Sequence, residues 1–118
     1  MVFQQKTYLM SYNIIAVPEF LKQAKKLGKK YRSLKDDLLI LFKDLEENPT
    51  LGTNLGDNCY KIRLAIKSKS KGKSGGARVI SHILIENETI YLLSIYDKSE
   101  YDSISDNEIK SILKDINK

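Results

Sequence analysis

The chain has 118 residues, one domain's worth, with 42% apolar and 30% charged residues. That is the make-up of an ordinary globular protein. The one cysteine, Cys59, excludes an internal disulfide framework and a multi-cysteine zinc site, and the one histidine, His82, argues against a histidine-rich metal centre or a Ser-His-Asp triad. The net charge is +5, and it is not spread evenly. Seven of the 20 basic residues fall between Lys61 and Arg78 with no acid among them, so the other 13 face 15 acidic residues. A basic stretch on a near-neutral body points to a polyanion partner.

No apolar run approaches the ~18 residues a membrane span needs. Residues 1–11 lack the charged start and apolar core of a secretory signal and are read as an N-terminal extension, with disorder one expectation. Met10 offers an alternative start. Residues 12–118 are then a single domain with no linker or repeat, and the expected location is cytoplasmic.

Tyr12–Val17 is rich in β-formers and reads as a strand. Pro18 opens a helix with Phe20, Ala24, Leu27 and Tyr31 at helical spacing, and Gly28 is a candidate end for it. Ser33 begins a second helix, with Asp36 completing a capping box. Leu34, Leu38, Leu41 and Leu45 form its buried stripe, and Asn48-Pro49 stops it. Residues 51–58 read as a turn-rich loop. Three strands follow over Tyr60–Ile66, Ala77–Ile85 and Ile90–Ile95, with Glu86-Asn87-Glu88 turning between the last two. A flexible basic connection, Lys67 to Gly76, joins the first two. Ser105 and Glu108 cap a C-terminal helix with an apolar face of Ile109, Ile112, Leu113 and Ile116. The order β-α-α-β-β-β-α predicts an α+β fold, a small and largely antiparallel sheet covered on one face by the helical hairpin.

Alternation along the strands predicts what the other face carries. Tyr60, Ile62, Leu64, Ala77, Val79, Ile83, Ile85, Tyr91, Leu93 and Ile95 are expected inward. Lys61, Arg63, Arg78, Ile80, His82, Ser94, Tyr96 and Lys98 are expected on the open face. Such a set suits RNA cleavage by the substrate's own 2′-hydroxyl. A base removes the 2′ proton, cations stabilise the phosphorane, and an acid protonates the leaving 5′-oxygen. The nucleophile belongs to the RNA, so this chemistry asks for no metal or cofactor. Arginine forks bind two phosphate oxygens at once, and neighbouring positive charge favours the neutral form of a lysine, the form that acts as base. Blander readings stand beside these. His82 reads as a satisfied strand histidine and Cys59 as a small semi-buried side chain. Lys98 can pair with Asp97 or Glu100. One of Tyr96 and Tyr101 reads as packing. Lys67, Lys69, Lys71 and Lys73 read as phosphate contacts rather than catalysts.

The CYKIRL strand at Cys59–Leu64, the KGKSGGARVI stretch ending at Ile80 and the segment Leu93–Glu100 together resemble the RelE/HigB branch of the RelE/ParE toxin superfamily, from type II toxin–antitoxin modules. The likeness runs from Tyr12 to the C-terminus, element order included. It implies a metal-independent endoribonuclease that cuts mRNA in the ribosomal A site and contacts 16S/23S ribosomal RNA. It also implies a cognate antitoxin that blocks the basic face. By position, Lys61 and Arg63 match the family's basic pair, Arg78 its phosphate-binding arginine, and Lys98 a further arginine. The family's C-terminal tyrosine is unmatched: Ile104 stands there, with Tyr101 one turn earlier. His82, Tyr96 and Tyr101 are therefore candidates for the acid or stacking group. Two other readings share the fold: a ParE-like topoisomerase poison, and a degenerate member that only binds its antitoxin.

Overall fold

The computed structural model describes residues 12–69, 72, 75–100 and 104–116. The N-terminal extension over 1–11, together with Lys71, Lys73 and Tyr101, lies outside the described residues. The elements are β1 (Asn13–Ala16), α1 (Pro18–Lys30), α2 (Leu34–Glu47), β2 (Thr53–Gly56), β3 (Cys59–Leu64), β4 (Ala77–Leu84), β5 (Thr89–Asp97) and α3 (Asp106–Ile116), with a 3-10 turn at Lys67–Lys69.

Pro18 sits in the first turn of α1, and Lys29 and Lys30 complement the dipole at its end. Gly28 lies inside this helix and does not end it. Tyr31, in extended conformation, closes α1 with its backbone N–H on the Leu27 carbonyl. The expected capping box at Ser33 is absent because Ser33 is already helical in conformation. Its hydroxyl donates to Asp37 Oδ2 at 2.7 Å, one turn on, rather than turning back to a backbone N–H. The second capping box is present: Glu108 N–H donates to Ser105 Oγ at 3.1 Å, and Ser105 N–H to Glu108 Oε1 at 3.3 Å.

Residues 51–58, expected as loop, contain β2. This polar strand is exposed along its length and lacks the apolar alternation that marks a strand. Its signal is the turn. Asp57 and Asn58 both have positive φ (54° and 59°) between the paired residues Gly56 and Cys59. That is the two-residue hairpin loop whose twist matches its strands. The sheet order is β1-β5-β4-β3-β2, with β1 parallel to β5 and the other pairs antiparallel. Phe20, Leu27, Leu34, Leu38, Leu41 and Leu45 of the hairpin are buried with Ile62, Leu64, Val79 and Ile95 of the sheet in one core.

Two inward assignments need correction. Leu93 is an extra residue in β5: Ile80 pairs with Ser94, but Ser81 pairs with Leu92. This bulge inverts the alternation above it, so Tyr91 lies opposite His82, on the face away from the hairpin. Ile85 falls in the turn after β4 and is 65% exposed.

Candidate functional site

β3, β4 and β5 lie side by side, and their register builds the site. Arg63 is directly opposite Arg78, and Arg78 is directly opposite Tyr96. Cross-strand partners share a face, so the three side chains form one row at ~4.8 Å strand spacing. Arg63 is exposed, Arg78 is buried at 5% exposure, and Tyr96 is buried at 7%. The Arg78 guanidinium donates to the Ala77 carbonyl at 3.0 Å. Burial pushes the Tyr96 phenol above its ordinary pKa, with the Arg78 charge pulling the other way. Tyr96 is therefore a neutral phenol, with its hydroxyl oxygen buried.

The next row holds Lys61, Ile80 and Ser94. Lys61 is half-buried, whereas Ile80 is wholly buried, so this face is not open throughout. Ile104, just before α3, and Glu108, in its first turn, border Tyr96 along a cavity of about 620 Å³ shared with α1. Lys98 is half-buried two residues past Tyr96, and its backbone N–H donates to the Gly76 carbonyl at 3.0 Å. Lys61, Arg63 and Lys67 also line a groove of about 390 Å³ against α2.

Two glycines let this end of the sheet close. A Cβ on Gly76 would run into the Leu64 carbonyl oxygen, and one on Gly52 would stand 2.5 Å from that of Lys61. Gly52 also has a φ of +108°, which side-chain-bearing residues rarely adopt.

The loop lysines separate. Lys67 is exposed. Lys69, expected as a phosphate contact, has a side chain only 7% exposed and binds Asp97 Oδ1 at 2.8 Å. The reason is the wholly buried Asp97 carboxylate, which also accepts the Tyr31 hydroxyl at 2.7 Å and the Ser99 backbone N–H at 3.0 Å. Burial works against the Asp97 charge, but Lys69, Tyr31 and Ser99 outweigh it and hold the carboxyl well below its usual range. Glu100 pairs with Lys30 at 3.3 Å.

His82 stands apart from the arginine row. It pairs across the sheet with Cys59, four residues along β3 from Arg63, or about 13 Å at 3.3 Å per residue. Cys59 Sγ lies 3.5 Å from His82 Nδ1 and both side chains are buried. No sequence pattern announces this contact, because it is made by strand register across 23 positions. Burial lowers His82 from its ordinary pKa and, with help from Asp57, pushes the Cys59 thiol up to about 11. The pair is thus a neutral imidazole beside a protonated thiol, not a nucleophile and its base. Among the described residues no group of three or more His, Cys, Asp or Glu side chains is placed to hold a metal ion.

A mixed sheet backed by a helical hairpin, with an arginine row on its other face, defines a small α+β domain of RelE-like architecture. A family model described as the RelE toxin of the RelE/RelB toxin–antitoxin system matches residues 20–118. The chain belongs to the RelE family, toxins of toxin–antitoxin modules. Among solved structures it is similar to a mutant of the E. coli toxin RelE in the free state, at 21% identity and a TM-score of 0.60, over 90% of this chain and 98% of that one. It is similar also to the intact E. coli RelBE toxin–antitoxin complex, at 22% identity and a TM-score of 0.56, over 74% of this chain and 96% of that one. The Mycobacterium tuberculosis RelBE2 toxin–antitoxin complex matches at 16% identity and a TM-score of 0.51, over 74% of this chain and 91% of that one. At such identities the likeness is one of fold.

Proposed function

We propose that this protein is a ribosome-dependent mRNA endoribonuclease, acting in the cytoplasm and held in check by a cognate antitoxin. The observation that carries the reading is the row of Arg63, Arg78 and Tyr96 across three adjacent strands, with Lys61 beside it. Two guanidiniums directly opposite one another repel unless an anion lies between them. A phosphodiester is the anion their planar forks fit.

The roles follow from chemistry and placement. Arg63 and Arg78 hold the scissile phosphate and neutralise the charge that builds on its oxygens. Lys61 takes the proton from the 2′-hydroxyl, whose oxygen attacks phosphorus as the bond to the 5′-oxygen breaks. Either Lys98, two residues past the row, or Tyr96, whose buried hydroxyl the substrate must first uncover, gives its proton to that leaving oxygen. The products are a 2′,3′-cyclic phosphate and a 5′-hydroxyl. His82, buried against Cys59, has no role in this scheme. A membrane partner is not part of it either; no helix among the described residues is long and apolar enough to cross a bilayer.

The partners proposed are mRNA in the ribosomal A site, 16S/23S ribosomal RNA and the antitoxin. The names of two similar structures, the E. coli RelBE and M. tuberculosis RelBE2 complexes, support the last. The test is purified protein incubated with mRNA-programmed ribosomes and with the same mRNA alone. The expected result is cleavage on the ribosome with 2′,3′-cyclic phosphate ends, and little on free RNA. Ends carrying a 3′-hydroxyl and a 5′-phosphate would contradict the mechanism.

A further inference from the structure

The site face is held in shape from behind. Asp97 lies between Tyr96 and Lys98 in sequence, but its side chain points to the hairpin face, as its pairing with Ala77 requires. There it gathers three separate parts of the chain. Lys69, from the turn that follows β3, binds Oδ1 at 2.8 Å. Tyr31, at the end of α1, donates its hydroxyl to Oδ2 at 2.7 Å. Ser99 donates both its backbone N–H and its hydroxyl to Oδ1, at 3.0 and 2.8 Å. The Lys69 ammonium also lies 5.3 Å from the centre of the Tyr31 ring.

The turn carrying Lys69 is fixed in its turn. The Lys67 backbone N–H donates to Asp37 Oδ2 at 3.3 Å, and that of Ser68 to Ser33 Oγ at 2.9 Å. The ion pair thus ties the exit of β3 to the end of β5, across the start of β4. Those are the strand ends that carry Arg63, Arg78 and Tyr96. Neither flanking strand reaches this end: β1 pairs only with residues 89–92 of β5, and β2 only with residues 59–61 of β3. Among the described residues no strand clamps the row from outside, and on the β5 side the backbone is held by Gln23 of α1, whose Oε1 accepts the Ile95 N–H at 2.9 Å.

We propose that Asp97, Lys69 and Tyr31 are positioning residues of the site, a buried lock on the reverse side of the sheet that fixes Tyr96 and Lys98 relative to the two arginines. The proposal rests on the endoribonuclease reading for its consequence in catalysis, but not for the lock itself. A lock of this kind acts on the geometry of reacting groups, so its loss costs turnover before it costs binding.

The test compares Lys69→Met, Lys69→Arg and Tyr31→Phe in the full chain by two measurements. The first is hydrogen exchange at the Lys98 amide, whose bond to the Gly76 carbonyl joins β5 to β4 beside the row. The second is kcat and KM on mRNA-programmed ribosomes. In Lys69→Met the Lys98 amide exchanges faster by about tenfold or more. Its kcat falls by about tenfold while KM stays within about twofold. Lys69→Arg restores both, and Tyr31→Phe moves both in the same direction by less. Should Lys69→Met fail to fold, Tyr31→Phe alone carries the comparison. Unchanged Lys98 exchange in a folded variant overturns the lock. So does a fall in activity expressed wholly in KM, or one that Lys69→Arg does not repair. If the wild-type protein cuts no RNA, the endoribonuclease reading fails and the exchange data still decide whether the lock exists.

Discussion

The two ends of the β3–β4 ladder differ more than their sequences suggest. At one end Arg63 faces Arg78; at the other, on the same face, Cys59 faces His82. The arginine end keeps an exposed guanidinium, has a neutral phenol in line and lies beyond the reach of both flanking strands. The cysteine end has no exposed cation in its row, and its imidazole and thiol are both held neutral. His82 at 8% exposure is no more covered than Arg78 at 5% or Tyr96 at 7%, so burial alone does not separate the ends. Sharing a face is therefore not sharing a site. Position along the strand, and whether an exposed cation stands in the same row, distinguish the two ends.

The sharpest way to break this contrast is to remove the arginines. Arg63→Ala and Arg78→Ala are each expected to lower kcat on programmed ribosomes by about 100-fold or more, as for loss of one oxyanion donor. A single-turnover assay reads this directly.

Next in size is stability at the lock behind the arginine end. Lys69→Met removes the ammonium 2.8 Å from the buried Asp97 carboxylate, leaving the exposed Lys30 at 3.9 Å, and is expected to cost about 3 kcal/mol in urea denaturation. Asp97 also shapes the acid limb of stability. Its folded pKa is depressed, so its contribution is present above the ordinary carboxylate pKa of about 4 and drains away as pH falls further. Asp97→Asn should be less stable at neutral pH and lose less on acidification, which denaturation midpoints across pH would show.

Gly76→Ala comes third. The added methyl meets the Leu64 carbonyl oxygen, so the start of β4 must shift, at about 1–3 kcal/mol by analogy with overpacking. Thermal melting checks the cost, and the arginine row beside it should lose activity in the same variant. The smallest effect belongs to the cysteine end. His82→Gln is expected to change kcat by less than about twofold.

Much of this was legible in the sequence. The helical hairpin followed from the leucine stripe and Pro18, and the arginine face from plain alternation in β3 and β4. The Leu93 bulge was not legible, because an extra residue in an apolar run leaves no mark until its partner strand is known. It moved Tyr91 to the other face. β2 escaped because it is exposed and polar, although Asp57-Asn58 carried the hairpin signal. Lys69 read as one more loop lysine, and its partner Asp97 lies 28 residues away. Only the folded chain shows that a buried carboxylate claims it. The Cys59–His82 contact escaped for the same reason.

The most direct test of the central claim is induced expression in bacteria with the 5′ ends of cellular mRNA mapped. It compares wild type, Arg63→Ala/Arg78→Ala and His82→Gln. Growth arrest with new in-frame cuts in wild type and His82→Gln, both lost in the double arginine variant, is the predicted result. Cuts that survive loss of both arginines, or that vanish with His82→Gln in a folded protein, would contradict it, and arrest without any cuts would point to topoisomerase poisoning instead.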